Sequence, residues 1–181
     1  MAVQTRRMTV EEFDQFVQLP ENAGRLLEYV GGEIIEVVSS NYSSEVAARI
    51  LIEIGILVKN RKLGRVTGAD GGYVVSGERY IPDVAFISKE KQPEPSHEAY
   101  NPTPPDLAVE VLSPSNDPGD IRVKLFNYLH AGTVVWLVDP DKKEVEVYSP
   151  GQVKKLGLDG TLDGGEVLPG FTLPVKAIFP D

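Results

Sequence analysis

The run PDLAVEVLSP, from Pro105 to Pro114, constrains this chain more than any other stretch. Strand side chains alternate between faces, so Leu107, Val109 and Val111 point one way while Ala108, Glu110 and Leu112 point the other. Both faces are apolar except at Glu110, so the segment reads as a buried strand with one carboxylate in its interior. An unpaired buried charge is strongly unfavourable. Glu110 therefore needs a cation, a metal or a cleft that admits water.

The rest of the chain supplies elements to cover such a strand. Thr9 and Glu12 form a capping-box pattern that opens a short helix running to about Leu19. In RLLEYVGGEIIEVV, Gly31 and Gly32 separate two β-favouring runs, a hairpin signal. Val46, Ala47, Ile50, Leu51, Ile54, Leu57 and Val58 recur at helical spacing, which predicts a helix over 43–62 with Gly64 as its stop. Strands are expected at 65–67 and 72–75, and YIPDVAFIS reads as another. Lys89 to Pro105 holds five prolines and is expected to be an exposed loop, either a functional flap or a plain excursion. Asp117 as N-cap, Pro118 at the first helical position and Gly132 as stop bound a helix after the Glu110 strand. TVVWLVDPDKKEVEVYSP gives a strand, a turn and a second strand, and the remainder reads as short strands with glycine turns. This order predicts the α/β class, a sheet with helices packed on it, in a single domain over residues 1–181.

Composition removes several function classes. The chain has no cysteine, which rules out disulfides and thiolate-rich zinc sites and agrees with a cytoplasmic protein. Its richest apolar run, VAARILIEIGILV, is broken by Arg49 and Glu53, so no membrane span is expected. The net charge of −9 argues against binding nucleic acid through a broadly basic surface. Lys59, Arg61, Lys62 and Arg65 form a local basic cluster that reads as cations at a helix end. The VVWLV run is apolar enough to lie at the centre of a sheet or at an interface; a homodimer is expected only from the general frequency of twofold assemblies.

For chemistry, His97 and His130 lack zinc-ligand spacing, and no G-x-S-x-G turn offers a serine nucleophile. What remains is carboxylates on strands. Asp83 shares a strand face with Ala85 and Ile87, much as Glu110 shares one with Ala108. If those strands are neighbours, Asp83, Glu110 and the backbone carbonyl of Val111 can converge on one divalent cation. Three strand residues beyond Glu110 advance roughly 10 Å, and seven helical residues from Asp117 to Lys124 return roughly 10 Å, so a helix folding back brings Lys124 level with the carboxylate. A plain buried Glu110–Lys124 ion pair accounts for the same pattern, as strand-entry bonding does for Asp83 and, preferably, for Asp106. On pattern alone Glu28, Glu33 and Glu45 read as solvated acids.

These residues also carry a likeness. RLLEYVGGEIIEV, IPDVAFIS, PDLAVEVLSPS, the Lys124-to-Tyr128 spacing in KLFNY, VVWLVDP, VEVY and LPGFTLPVKAIF resemble, in that order, the Uma-two family of the restriction-endonuclease-like PD-(D/E)xK nucleases, over about Thr9 to Phe179. The resemblance implies a restriction-endonuclease-like core, a mixed central sheet flanked by helices. It also implies a Mg²⁺- or Mn²⁺-dependent endonuclease acting on nucleic acid, DNA being the expected polymer. Pro82-Asp83 matches the PD element and Glu110 the second acid. Where the superfamily signature has lysine, two positions after that acid, this chain has Leu112; the family resembles a variant with its lysine on the next helix, here Lys124. Glu28 matches the fourth member. In the mechanism so implied, Asp83 and Glu110 hold the metal with Val111, Lys124 handles water or oxyanion charge, and the basic cluster near Lys59 to Arg65 assists phosphate approach. The alternative from another class is a catalytically silent nuclease-fold binding or accessory module. A glycosidase using Asp83 and Glu110 ranks last, because a lysine-flanked pair does not suit a lone protonated acid.

Overall fold

The computed structural model describes residues 7–180. Helix α1, Val10–Phe16, begins with the expected capping box: Glu12 N donates to Thr9 Oγ1 at 3.2 Å and Thr9 N to Glu12 Oε2 at 2.9 Å. It stops three residues earlier than the pattern suggested. Asn22, from the 3₁₀ turn Pro20–Asn22, donates its side-chain amide to the Phe16 carbonyl at 2.7 Å and so takes up a helix-end acceptor. Strands β1 (Leu27–Val30) and β2 (Glu33–Glu36) form the hairpin read from Gly31 and Gly32, which take φ of 59° and 92°.

Helix α2, Asn41–Arg61, starts from Ser40, whose hydroxyl accepts from Ser43 N. Its end corrects the role expected of Gly64. Lys62, not a glycine, takes the left-handed C-terminal conformation, with φ 55° and ψ 39°. Gly64 instead opens strand β3 (Gly64–Thr67), where a Cβ would lie 2.0 Å from the Ile87 carbonyl oxygen. It is glycine because another backbone passes there.

The YIPDVAFIS segment is not one strand. Tyr80 ends β5 (Glu78–Tyr80), which pairs with β4 (Gly72–Val75), whereas β6 (Val84–Ser88) pairs with β3 and with β8 (Leu107–Val111). Pro82 has no N–H to give to a ladder, and the chain turns there from one sheet into the other. The proline-rich loop is interrupted by β7 (Tyr100–Asn101), which pairs in parallel with β4. Because β6 and β8 are antiparallel, this loop joins Ser88 to Leu107 at the end of the pair remote from Asp83 and Glu110, so it is no flap over those acids.

Helix α3 (Pro118–His130) follows β8, with Asp117 capping Gly119 N and Asp120 N. It leads to β9 (Val134–Asp139), which runs parallel to β8, then to β10 (Glu144–Ser149) and β11 (Gln152–Leu156). Strands β12 (Thr161–Asp163) and β13 (Thr172–Pro174) form a small separate pair. The larger sheets run β2-β1-β5-β4-β7 and β11-β10-β9-β8-β6-β3. The apolar VVWLV run is therefore central, as β9, between β8 and β10. One face of the six-stranded sheet packs Val84, Val109 and Trp136 on Val46, Ile50, Ile54 and Val58 of α2. The other face sets Ala85, Ala108 and Val135 against Tyr128 of α3 and against Val30, Tyr73 and Tyr80 of the five-stranded sheet. The small side chains on that face let the second sheet come close.

Among the described residues no helix is long and apolar enough to cross a membrane. Gly64→Ala is expected to lower stability by about 2 kcal/mol through the backbone clash, whereas Lys62→Gly is expected to raise it by about 0.5 kcal/mol by relieving the left-handed residue. Urea unfolding of both variants tests the exchange of roles; equal effects would contradict it.

Candidate active site

Four elements from both sheets meet at one cavity of about 220 Å³. Strand β1 contributes Glu28, the turn before β6 contributes Asp83, β8 contributes Glu110, and α3 contributes Lys124. The β6–β8 register, Val84 opposite Val109, carries Asp83 level with Glu110 on the same face. Helix α3 folds back over that face and buries Lys124 and Tyr128, one turn apart.

Lys124 Nζ lies 2.9 Å from Glu28 Oε1 and 2.8 and 2.9 Å from the two oxygens of Glu110. Tyr128 donates its hydroxyl to Glu110 Oε1 at 2.9 Å, and Ile81 N donates to Glu28 Oε1 at 2.6 Å. Asp83 Oδ2 accepts from Val111 N at 2.7 Å. The Tyr80 ring lies 5.6 Å from the ammonium, and its hydroxyl is fixed by Glu78 and Asn127. Glu28, Glu110 and Lys124 are 5%, 7% and 6% exposed, so these are charges withdrawn from water and held by one another.

Their ionisation follows from that arrangement. Burial pushes the Glu110 carboxyl up to about 7, against the pull of Lys124 and with help from Glu28 and Asp83. Burial likewise raises Asp83, although the Val111 N–H and Lys124 oppose the rise. For Lys124, burial favours the neutral amine, but Glu110 and Glu28 outweigh it and the ammonium is held more firmly than usual. The lysine thus stays charged, while Glu110 and Asp83 are both pushed towards protonation. With all ionised, three carboxylates face one ammonium and leave an excess of two negative charges.

Hard oxygen donors without histidine or cysteine suit Mg²⁺ or Mn²⁺. Among the described residues, however, no three acids or histidines close up as a ready-made metal cage. An ion there would complete its shell with water or substrate oxygens, as Mg²⁺ commonly does. Val111 turns its N–H, rather than a demonstrated carbonyl, to Asp83.

Other sequence expectations divide. Asp106 is structural: it accepts from Ser88 N at 2.6 Å and pairs with Lys91 at 3.2 Å. Glu45 pairs with Arg49 on the surface and Glu33 is exposed, but Glu28 is buried, contrary to its solvated reading. The basic cluster lies at the wrong end. The N-terminal turn of α2 bonds through Ser43 to the Leu112 carbonyl beside the cavity, so the cations near Arg61 stand about 30 Å away along the helix. Arg61 bonds the Pro169 carbonyl and Arg65 the Gln92 and Pro93 carbonyls. Tyr128 was visible in the sequence only through its spacing from Lys124; that position one turn away was the available sign that it shares the lysine's partners.

The sequence model of one family, Uma2, described as "Putative restriction endonuclease", matches residues 13–176. A crystal structure titled "a putative nuclease belonging to DUF820 from Anabaena variabilis ATCC 29413" superposes with a TM-score of 0.82 at 23% identity, covering 95% of this chain and 97% of that one. No curated protein matches.

Removing the shared cation tests the electrostatics. A carboxyl with a raised folded pKa binds its proton more tightly folded than unfolded, so its contribution to stability falls as pH rises from about 4.5 to about 7. Lys124 lowers that pKa, so its loss extends the window upward. Lys124→Met is expected to cost about 3 kcal/mol at pH 8 and distinctly less at pH 5.5, measured by urea unfolding. Equal losses would mean that Glu110 does not respond to the ammonium.

Proposed function

Because the chain belongs to the Uma2 family and shares its restriction-endonuclease-like α/β core, we propose that it is a divalent-metal-dependent nuclease that hydrolyses phosphodiester bonds of DNA. The observation that carries this reading is the meeting of three carboxylates, Glu28, Asp83 and Glu110, with a single ammonium, Lys124, at one cavity. With all three ionised, a divalent cation neutralises the charge the lysine leaves over, and the donor set is the one Mg²⁺ and Mn²⁺ prefer. A cytoplasmic setting, in keeping with a cysteine-free chain, belongs to the same reading.

In this reading Asp83 and Glu110 hold the metal, with the Val111 carbonyl as an additional oxygen and Glu28 holding a second ion or its waters. When bound, the ion offsets charge growing on the phosphate and makes a coordinated water more acidic. Lys124 hydrogen-bonds the attacking water or the phosphoryl oxygens as their charge increases. For this, one of its contacts to Glu110 or Glu28 must be exchanged for the substrate. The Tyr128 hydroxyl keeps Glu110 in place during that exchange, and the Val111 and Ile81 N–H groups orient Asp83 and Glu28.

A second reading, a silent nuclease-fold module, draws on one specific observation. Both oxygens of Glu110 are already engaged by Lys124, and one also by Tyr128, so this acid has protein partners at each oxygen.

DNA incubated with the protein and Mg²⁺ or Mn²⁺ should be cut, and Asp83→Ala or Glu110→Ala should abolish cleavage in protein that still folds by circular dichroism. Cleavage surviving in both variants would end the assignment. Lys124→Ala should reduce the rate more than the Mn²⁺ affinity measured by titration calorimetry. No heat of metal binding by the unaltered protein would favour the silent module.

A further inference from the structure

The way into the cavity restricts what can reach Lys124. One wall is the end of β2 and the segment that follows it, with Ile35 and Val38; the other is the turn after β8 and the first turn of α3, with Ser115 and Ile121. Ser115 donates its hydroxyl to the Val38 carbonyl at 2.9 Å, which ties the two walls together. The site is thus a bridged notch rather than an open trough, and Glu28, Glu110 and Lys124 lie at the bottom, each less than a tenth exposed, with Asp83 half-buried beside them.

Charge restricts access further. Among the described residues Lys124 is the only lysine or arginine lining the cavity, while Glu36, Asp117 and Asp120 stand along it. Glu36 is spent on Arg25 at 2.8 Å, and Asp117 caps α3. Asp120 faces further acids: its carboxyl is raised by burial and by Asp117, Glu33 and Glu28.

Double-stranded DNA carries one negative charge per about 1.7 Å of axis, twice the density of one strand, and proteins that hold it neutralise its phosphates with lysine and arginine. Among the described residues no such row of cations lines this cavity. Its apolar wall residues suit sugar and base faces rather than a second phosphate backbone.

Building on the nuclease reading above, we propose that the substrate reaches this site as a single strand: an unpaired segment enters the bridged, acid-lined notch, and intact duplex is excluded. The Ser115–Val38 bridge limits width, the acids penalise a second backbone, and the buried ammonium meets one phosphate.

The test uses the full chain with Mn²⁺ on a single-stranded circular DNA and on a relaxed, covalently closed duplex circle. In parallel, fluorescence anisotropy with Ca²⁺ follows binding of a labelled oligonucleotide, either unpaired or folded as a hairpin duplex. The unpaired forms should be cut and bound at least about tenfold better. Ser115→Ala, which cuts the bridge, and Asp120→Asn, which removes a wall charge, should each narrow that ratio. Equal binding of the two forms, equal nicking of the closed duplex, or a ratio unmoved by both variants would overturn the proposal. If neither circle is cut while the unpaired oligonucleotide still binds preferentially, the nuclease reading fails and the strand selection stands.

Discussion

One ammonium, that of Lys124, is shared between acids from two different sheets, and the architecture is arranged around that sharing. Glu28 belongs to the five-stranded sheet and Glu110 to the six-stranded one, and α3 lies where its lysine reaches both. Each acid alone would be an unfavourable burial. Together with the lysine they tie the sheets with charge-assisted hydrogen bonds, and the small residues Ala85 and Ala108 allow the necessary approach. The three groups that join the sheets are thus also members of the proposed site. Conditions that loosen the cluster enough to admit another cation must be compensated by that cation.

The bend at Ile81 to Asp83 is the second requirement. The Ile81 N–H is turned to Glu28, Pro82 ends the ladder, and Asp83 reaches across to the Val111 N–H. Three consecutive residues thus leave one sheet, enter another and fix two of the acids on the way. A regular strand through this region would have carried Asp83 away from Glu28.

Much of this was legible in the sequence, for physical reasons that differ between elements. Helix α2 could be read from its apolar periodicity and α3 from its N-cap, first-turn proline and glycine stop, and Glu110 stood out because a charge in an apolar strand demands a partner. The return distance from Glu110 to Lys124 depends only on rise per residue, so it could be stated without coordinates. Glu28 could not be placed by pattern, since an alternating strand says which face a side chain takes but not what lies over that face; only the resemblance pointed to it. The second sheet was hidden for a related reason: its strands are two to four residues long, and its assembly depends on pairings far apart in the chain, such as Tyr29 with Arg79. Gly64 was misread because a glycine after a helix has two physical uses, and only the passing Ile87 carbonyl reveals which one applies.

The antiparallel pairing of β6 and β8 has a further consequence for how the molecule can vary. Their acids sit at one end of the pair and the long proline-containing connection closes the other. Residues gained or lost in that connection leave the meeting of Asp83 with Val111 undisturbed, whereas a single residue inserted between Pro82 and Val84 would turn one acid to the opposite face. The stretch between Pro93 and β7 is where this scaffold can accept grafts and drift in length, and the short entry to β6 is where it cannot.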